Sequence, residues 1–201
     1  MRHFENQAFE SGYRFVAGID EAGRGPLAGP VVSASVVLPS GFLDPGVVDS
    51  KKITPAKREK LYRKILDSAV YVATGVAHHD EIDDVNILKA SLNSMKRSCQ
   101  NLARRPDYLL IDGRFRIDMD IDQVPLVKGE SRSISIAAAS IVAKVTRDRM
   151  MAELHEKYPE YGFDRHKGYP TRVHREIILK IGPCPVHRKS FKGVREVLDA
   201  E

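Results

Sequence analysis

The residues from Phe15 to Pro30 restrict the fold more than any other part of this 201-residue chain. An apolar run, Phe15-Val-Ala-Gly-Ile19, delivers two adjacent carboxylates, Asp20 and Glu21, and then breaks into a glycine-rich stretch carrying Arg24. A carboxylate carried into a protein interior is costly unless a cation compensates it. A buried strand ending in Asp-Glu therefore asks for a metal ion or a basic partner. Neighbouring side chains of a regular strand point to opposite faces. The two acids are thus expected to share an ion only if the strand ends or bulges there, with Ala22 and Gly23 supplying the break. Acidic strand tip, glycine turn and arginine together suggest a site that handles phosphates with metal ions.

The same arrangement recurs. Tyr108-Leu-Leu-Ile-Asp112 is a short apolar strand ending in an acid before Gly113, and Glu130 follows Gly129 just ahead of a long apolar helix. Adjacent strands lie about 4.8 Å apart, so carboxylates on neighbouring strand ends can share an ion. Oxygen ligands without His or Cys favour Mg²⁺ or Mn²⁺ over zinc. Two such ions about 3.5–4 Å apart can clamp the attacking and leaving oxygens of an in-line phosphoryl displacement. A single Asp at a strand end is more often a turn or helix cap, but several on successive buried strands favour a metal site.

Along the chain, strands and helices alternate. Strands are expected at Arg14 to Asp20, Pro30 to Leu38, Val70 to His78, Tyr108 to Asp112 and Val124 to Lys128. Phe115 to Asp122 alternates apolar and charged residues, which predicts a half-exposed strand or hairpin. Helices are expected from Thr54-Pro55, an N-cap followed by a first-turn proline, to about Asp67. Others should run from the acids at Asp80–Asp84 to about Leu102, from Ile134 to about Lys157, and from Thr171 to Ile181. The pattern predicts one α/β domain spanning 1–201, with a core at about 14–157 and a basic helical extension at about 158–201.

The formal charge is +5, and from Arg165 to Lys192 eight cations face only Glu176. That is the footprint of a polyanion partner or, equally, a solvated helix face. No apolar run reaches the roughly 18 residues of a membrane span, and the first residues lack the apolar core of a secretory signal. Two cysteines, Cys99 and Cys184, make no disulfide framework. A cytoplasmic protein with no membrane partner is expected.

At these residues the chain resembles the bacterial ribonuclease HII family. Gly18-Ile-Asp20-Glu21-Ala-Gly23-Arg24-Gly25, continuing through Pro26-Leu-Ala-Gly29-Pro30, is similar to the family's opening signature. The resemblance continues through Asp49-Ser50-Lys51-Lys52, Leu110-Ile-Asp112-Gly113, Val127-Lys-Gly129 and Ala137 to Asp148, and ends with His166-Lys-Gly-Tyr169 and His187-Arg-Lys-Ser-Phe191. It implies a ribonuclease H-like five-stranded mixed sheet flanked by helices, with a C-terminal helical part. The implied activity is endonucleolytic cleavage of RNA in RNA–DNA hybrids and 5′ of single ribonucleotides in duplex DNA, leaving 3′-hydroxyl and 5′-phosphate ends. Asp20, Glu21, Asp112 and Glu130 would hold two Mg²⁺ or Mn²⁺ ions. Glu130 departs from the family pattern, which has Asp after Lys-Gly. Asp148 is the rival fourth acid, but it lies between Arg147 and Arg149 in a helix, which favours an ion pair. The resemblance also implies that Gly23, Arg24 and Gly25 read the 2′-hydroxyl, that Tyr169 packs on the following deoxyribose, and that Ser50, Lys51 and Lys52 contact the phosphate backbone. A monomer is expected.

Two rival readings keep the fold: a catalytically silent binder of RNA–DNA junctions, and a nuclease that cuts DNA alone. Intact Asp20, Glu21 and Asp112 argue against the first, and the Gly-Arg-Gly turn with Tyr169 against the second. Other signals are weaker. Cys184 and His187 with His166 and His174 imitate half a zinc site without its second cysteine pair. Asp118, Asp120 and Asp122 imitate a calcium loop but place Gln123 where Gly is required. His78 to Glu81 suits a helix start, and Ser140 has no positioned His.

Overall fold

A computed structural model describes residues 1–47, 50 and 53–200. Its centre is β1 (Val16–Ala22), antiparallel to β2 (Val31–Val37) and parallel to β4 (Tyr108–Asp112). β3 (Tyr71–Ala77) pairs antiparallel with β2, and β5 (Asp122–Leu126) parallel with β4, giving the order β3-β2-β1-β4-β5. The sheet is therefore mixed and five-stranded, as the resemblance implies. β1 and β2 are covered on both faces, which is why their sequences read as apolar runs rather than alternating ones.

One face carries α4 (Ile134–Lys157), with α2 (Pro55–Ser68) outside it. Every residue of α4 from Ile134 to Ala143 is buried, and its small residues let the helix lie close to the sheet. A Cβ on Gly18 would come within 2.1 Å of the Ser135 carbonyl carbon and 2.4 Å of the Ile136 nitrogen, so only glycine fits between β1 and α4. The other face carries α3 (His79–Gln100), whose Met95 and Cys99 pack with Ala17, Ile19, Leu109 and Ile111. Thr54 Oγ1, Ser133 Oγ and Thr171 Oγ1 accept from Lys57, Ile136 and His174 N–H respectively, capping α2, α4 and α6 (Arg172–Ile181).

Four expectations change. β1 does not break at the acids, because its ladder with β2 runs on through Glu21↔Ser33 and Ala22↔Val32. Of the expected Phe115–Asp122 strand only Asp122 is in a strand, as the start of β5: Gln123 folds the rest around its amide, accepting from Ile117 N–H and donating to the carbonyls of Ile117, Met119 and Ile121. That side chain replaces a strand partner while Ile117 still reaches the core. α3 is interrupted at Asn86 (φ 70°), whose Oδ1 caps the second half by accepting from Leu88 and Lys89 N–H. An N-terminal helix, α1 (His3–Glu10), precedes the expected core and packs Ala8 beside Leu110, Leu126 and Ile136.

The C-terminal part adds α5 (Phe163–His166), α6 and α7 (Arg195–Leu198). It does gather the zinc-like residues, but into a hydrogen-bonded knot. His174 Nδ1–H donates to Tyr169 O (2.9 Å), which leaves its Nε2 to accept from His187 Nε2–H (3.0 Å), and His187 Nδ1 accepts from Cys184 N–H (3.0 Å). Burial holds both imidazoles down at about 4, in the neutral form this pattern requires. No metal cluster of these residues occurs among the described residues. Of the eight C-terminal cations, Arg188 is wholly buried, whereas Arg165, Arg172, Arg175, Lys180, Lys189 and Lys192 are exposed.

Gly18→Ala should lower stability by about 2–3 kcal/mol, the ordinary cost of overpacking where backbone must move. Urea denaturation measures it, and an unchanged midpoint would contradict the close β1–α4 contact.

Candidate active site

Asp20 shares the face of β1 that Gly18 presents to α4, since both lie two residues apart on a regular strand. It is 6% exposed. Alternation puts Glu21 on the opposite face, yet carboxylate oxygens of Asp20, Glu21 and Asp112 lie within 4.8 Å of one another. They meet because β4 pairs with β1 only as far as Ile19↔Ile111, so the two parallel strands part at the acids. The Asp20 carboxyl is held against its own strand, Oδ1 accepting from the following N–H, that of Glu21, at 2.7 Å. An unbroken strand thus brings both acids to one point, contrary to the sequence expectation.

Asp112, at the end of β4, accepts from Gly129 N–H at 2.7 Å, and a Cβ on Gly129 would stand 3.1 Å from that same oxygen. Glu130 follows in a short 3-10 turn, Gly129–Ser131, near enough for its charge to raise the Asp112 carboxyl. Glu130 stands next to the cluster and is not one of the three acids whose oxygens converge. Burial, then Glu21 and Asp112, push the Asp20 carboxyl well above its ordinary value. Burial, then the neighbouring Glu130 carboxyl, raise Asp112 to about 7. Asp148 pairs instead with Lys144 (2.6 Å) and Arg58 (3.7 Å).

Glu21 also lines a pocket of about 230 Å³ with Gly23, Arg24, Gly25, Ser50, Ser140, Lys144 and Tyr169. Arg24, half exposed, reaches Glu21 at 3.3 Å. Gly23 has φ +103°, and a Cβ there would strike the Arg147 side chain at 2.1 Å, so the turn requires glycine. Tyr169 is 40% exposed, with Cε1 lying 3.7 Å from where a Gly25 Cβ would be. Ser50 is buried, and its Oγ accepts from Ser140 Oγ–H at 2.7 Å. Lys51 and Lys52 lie outside the described residues.

The sequence reading missed two residues beneath this pocket. Arg188 and Arg147 are both 0% exposed, and each donates to backbone carbonyls. Arg188 donates to Gly23 O (2.6 Å), Arg24 O (3.0 Å) and Gly29 O (2.9 Å). Arg147 donates to Pro30 O (2.9 Å), Ala28 O (3.3 Å) and Lys167 O (3.1 Å). Desolvation lowers Arg147 to about 10 and Arg188 to about 9. In a planar trans peptide the N–H opposes the C=O, so drawing the Gly23 and Arg24 carbonyls inward turns the Arg24 and Gly25 N–H groups away from Arg188. The only sequence signal was their place inside two longer motifs, Ala137 to Asp148 and His187 to Phe191.

An all-oxygen donor set in which buried carboxylates raise one another's pKa fits a hard divalent cation. A mixed five-stranded sheet with this cluster where β1 and β4 part defines a ribonuclease H-like hydrolase. The family model described as Ribonuclease HII matches residues 17–194. A ribonuclease HII of Syntrophus aciditrophicus (strain SB) is 53% identical over 192 residues, 96% of this chain and 91% of that protein. Another, from Geobacter sulfurreducens, is 54% identical over 195 residues, 97% of this chain and 90% of that one. The crystal structure of the ribonuclease H2 from Pyrococcus horikoshii OT3 superposes with a TM-score of 0.77 at 28% identity, covering 93% and 98% of the two chains. This chain belongs to the ribonuclease HII family, endonucleases acting on RNA–DNA hybrids.

Unfolded, Asp20 and Asp112 titrate near 3.8; folded, they hold protons to higher pH, Asp112 to about 7. The stability this confers is complete below about 3.8 and is lost as pH rises through about 7. The metal-free protein should therefore lose stability between about pH 5 and about pH 8, and Mg²⁺ should restore it at the upper end. Urea midpoints in chelator check this, and Asp112→Asn should flatten the slope.

Proposed function

We propose that the protein cleaves the RNA strand of RNA–DNA hybrids and cuts 5′ of single ribonucleotides in duplex DNA, leaving 3′-hydroxyl and 5′-phosphate ends. The observation that carries this reading is one pocket bearing both functions. Glu21, from the carboxylate cluster, and the Gly23–Gly25 turn with Tyr169 line the same cavity. Asp20, Glu21, Asp112 and Glu130 would hold two Mg²⁺ or Mn²⁺ ions. Such ions, when bound, supply positive charge for the attacking and leaving oxygens of the phosphodiester and acidify a water.

The chain's own groups do the rest. The carboxylates give up their protons when ions are held and so set the pH below which activity falls. Gly23 to Gly25 bring backbone close to a sugar, where a 2′-hydroxyl can both donate and accept. Arg24 offers a planar fork to phosphate, and Tyr169 gives its exposed ring to the deoxyribose beyond the ribonucleotide. Ser50, Lys51 and Lys52 would contact the backbone phosphates, and the exposed C-terminal cations would meet the duplex beyond. The protein would act as a cytoplasmic monomer.

Asp20→Asn should lower cleavage of a duplex containing one ribonucleotide at least about a thousandfold, since several kcal/mol of charge stabilisation go with the ions. Glu130→Gln should be strongly impaired while Asp148→Asn keeps most activity; the reverse order would overturn the choice of fourth acid. Tyr169→Ala should lower the preference for single ribonucleotides over all-RNA hybrids about tenfold, the worth of one packed ring face. Equal relative rates on the two substrates would remove Tyr169 from the reading.

A further inference from the structure

We infer that Glu5 is a positioning residue for the fourth carboxylate, holding from behind the turn that presents Glu130 to Asp112. The inference rests on the reading of Glu130 as a metal-holding acid. Glu5 lies on α1, outside the residues matched by the family model, and is 1% exposed. Its Oε1 accepts from Ser133 Oγ–H at 2.6 Å and from Ser135 N–H at 3.0 Å. Beside it, Met1 O accepts from Ile134 N–H at 2.8 Å, and the Arg132 guanidinium lies 4.9 Å from the Phe4 ring centroid. Each residue from Arg132 to Ser135 is thus held by one of the first five residues.

The first N–H groups of a helix have no partner within it. α4 therefore takes two of its caps from the N-terminal segment, one from Met1 and one from Glu5 on α1, with the carboxyl placed where the helix dipole favours it. The turn closes directly onto this anchor, because Arg132 N–H and Ser133 N–H both donate to Gly129 O, at 2.9 and 2.8 Å. On the other side, Gly129 N–H donates to Asp112. Lys128 enters the turn at φ +57°, a left-handed conformation that a non-glycine residue holds only when its surroundings enforce it.

Glu130 thus sits in a turn gripped from the front by Asp112 and from behind by Glu5. A glutamate has one more rotatable bond than the aspartate of the family pattern, so its carboxylate depends more on where the backbone is held.

The test compares full-length Glu5→Ala, which removes the acceptor, with Glu5→Gln, which keeps it. Mn²⁺ uptake by the metal-free protein is read by electron paramagnetic resonance without substrate, alongside the thermal midpoint. Glu5→Ala should need roughly three- to tenfold more Mn²⁺ for half occupancy, within or below the usual effect of losing an outer support of a metal ligand. Glu5→Gln should stay within about twofold of wild type even if it melts lower, because geometry and not charge sets the turn. If Glu5→Ala melts lower but takes up Mn²⁺ like wild type, Glu5 is a structural cap and the inference fails. Should Glu5→Ala not fold, Ser133→Ala, which removes one of the two Glu5 bonds together with the α4 N-cap, must need more Mn²⁺ for half occupancy than Glu5→Gln, and equal values would overturn the inference. Wild-type protein that takes up no Mn²⁺ at all would overturn the metal reading together with this inference.

Discussion

The contact between β1 and α4 at Gly18 sets the conditions for everything at the site. Because the helix backbone rests against the strand there, the next residue on that face, Asp20, is covered rather than solvated. A carboxylate so placed beside two others cannot readily ionise by itself. The same contact fixes the start of α4, and with it the turn carrying Glu130. A packing constraint of one missing methyl group is thereby converted into an electrostatic demand for cations.

The substrate side of the pocket obeys a different rule. Around Gly23 to Pro30 the interior is occupied by two guanidinium groups that donate to backbone carbonyls. Guanidinium is the cation best suited to such burial, being planar, weakly hydrated and rich in fixed donors. Lysine could not reach three carbonyls in the plane that Arg188 does. The two buried charges also leave a positive field beneath a pocket that carries Arg24 and Lys144, opposite in sign to the carboxylate cluster beside it. A phosphate at the boundary would find attraction on one side and, once ions are held, on the other.

Much of this was legible in the sequence because burial and chemistry leave local marks. The two-faced strands appear as apolar runs, the cap at Thr54 as a hydroxyl before a helix, and the acids as interruptions of apolar segments. The extent of β1 was not legible, since whether Asp20 and Glu21 share a point depends on where β4 stops pairing. Nor was Gln123, because an alternating pattern is equally satisfied by a loop wrapped round one amide. Arg188 read as part of a basic segment and Arg147 as an ion-pair neighbour of Asp148, for most of their carbonyl partners lie more than a hundred residues away. α1 carries no strong pattern of its own, and its importance appears only through the distant Ser133 and Ser135.

The central claim is that neighbouring carboxylates at the ends of β1 and β4 form a site that exchanges protons for divalent cations. Calorimetric titration of Mn²⁺ into metal-free protein near neutral pH, in buffers of different ionisation enthalpy, counts the protons released. The account predicts saturable binding with net proton release, lost in Asp112→Asn. Saturable binding without proton release, or binding that survives loss of both Asp20 and Asp112, would contradict it.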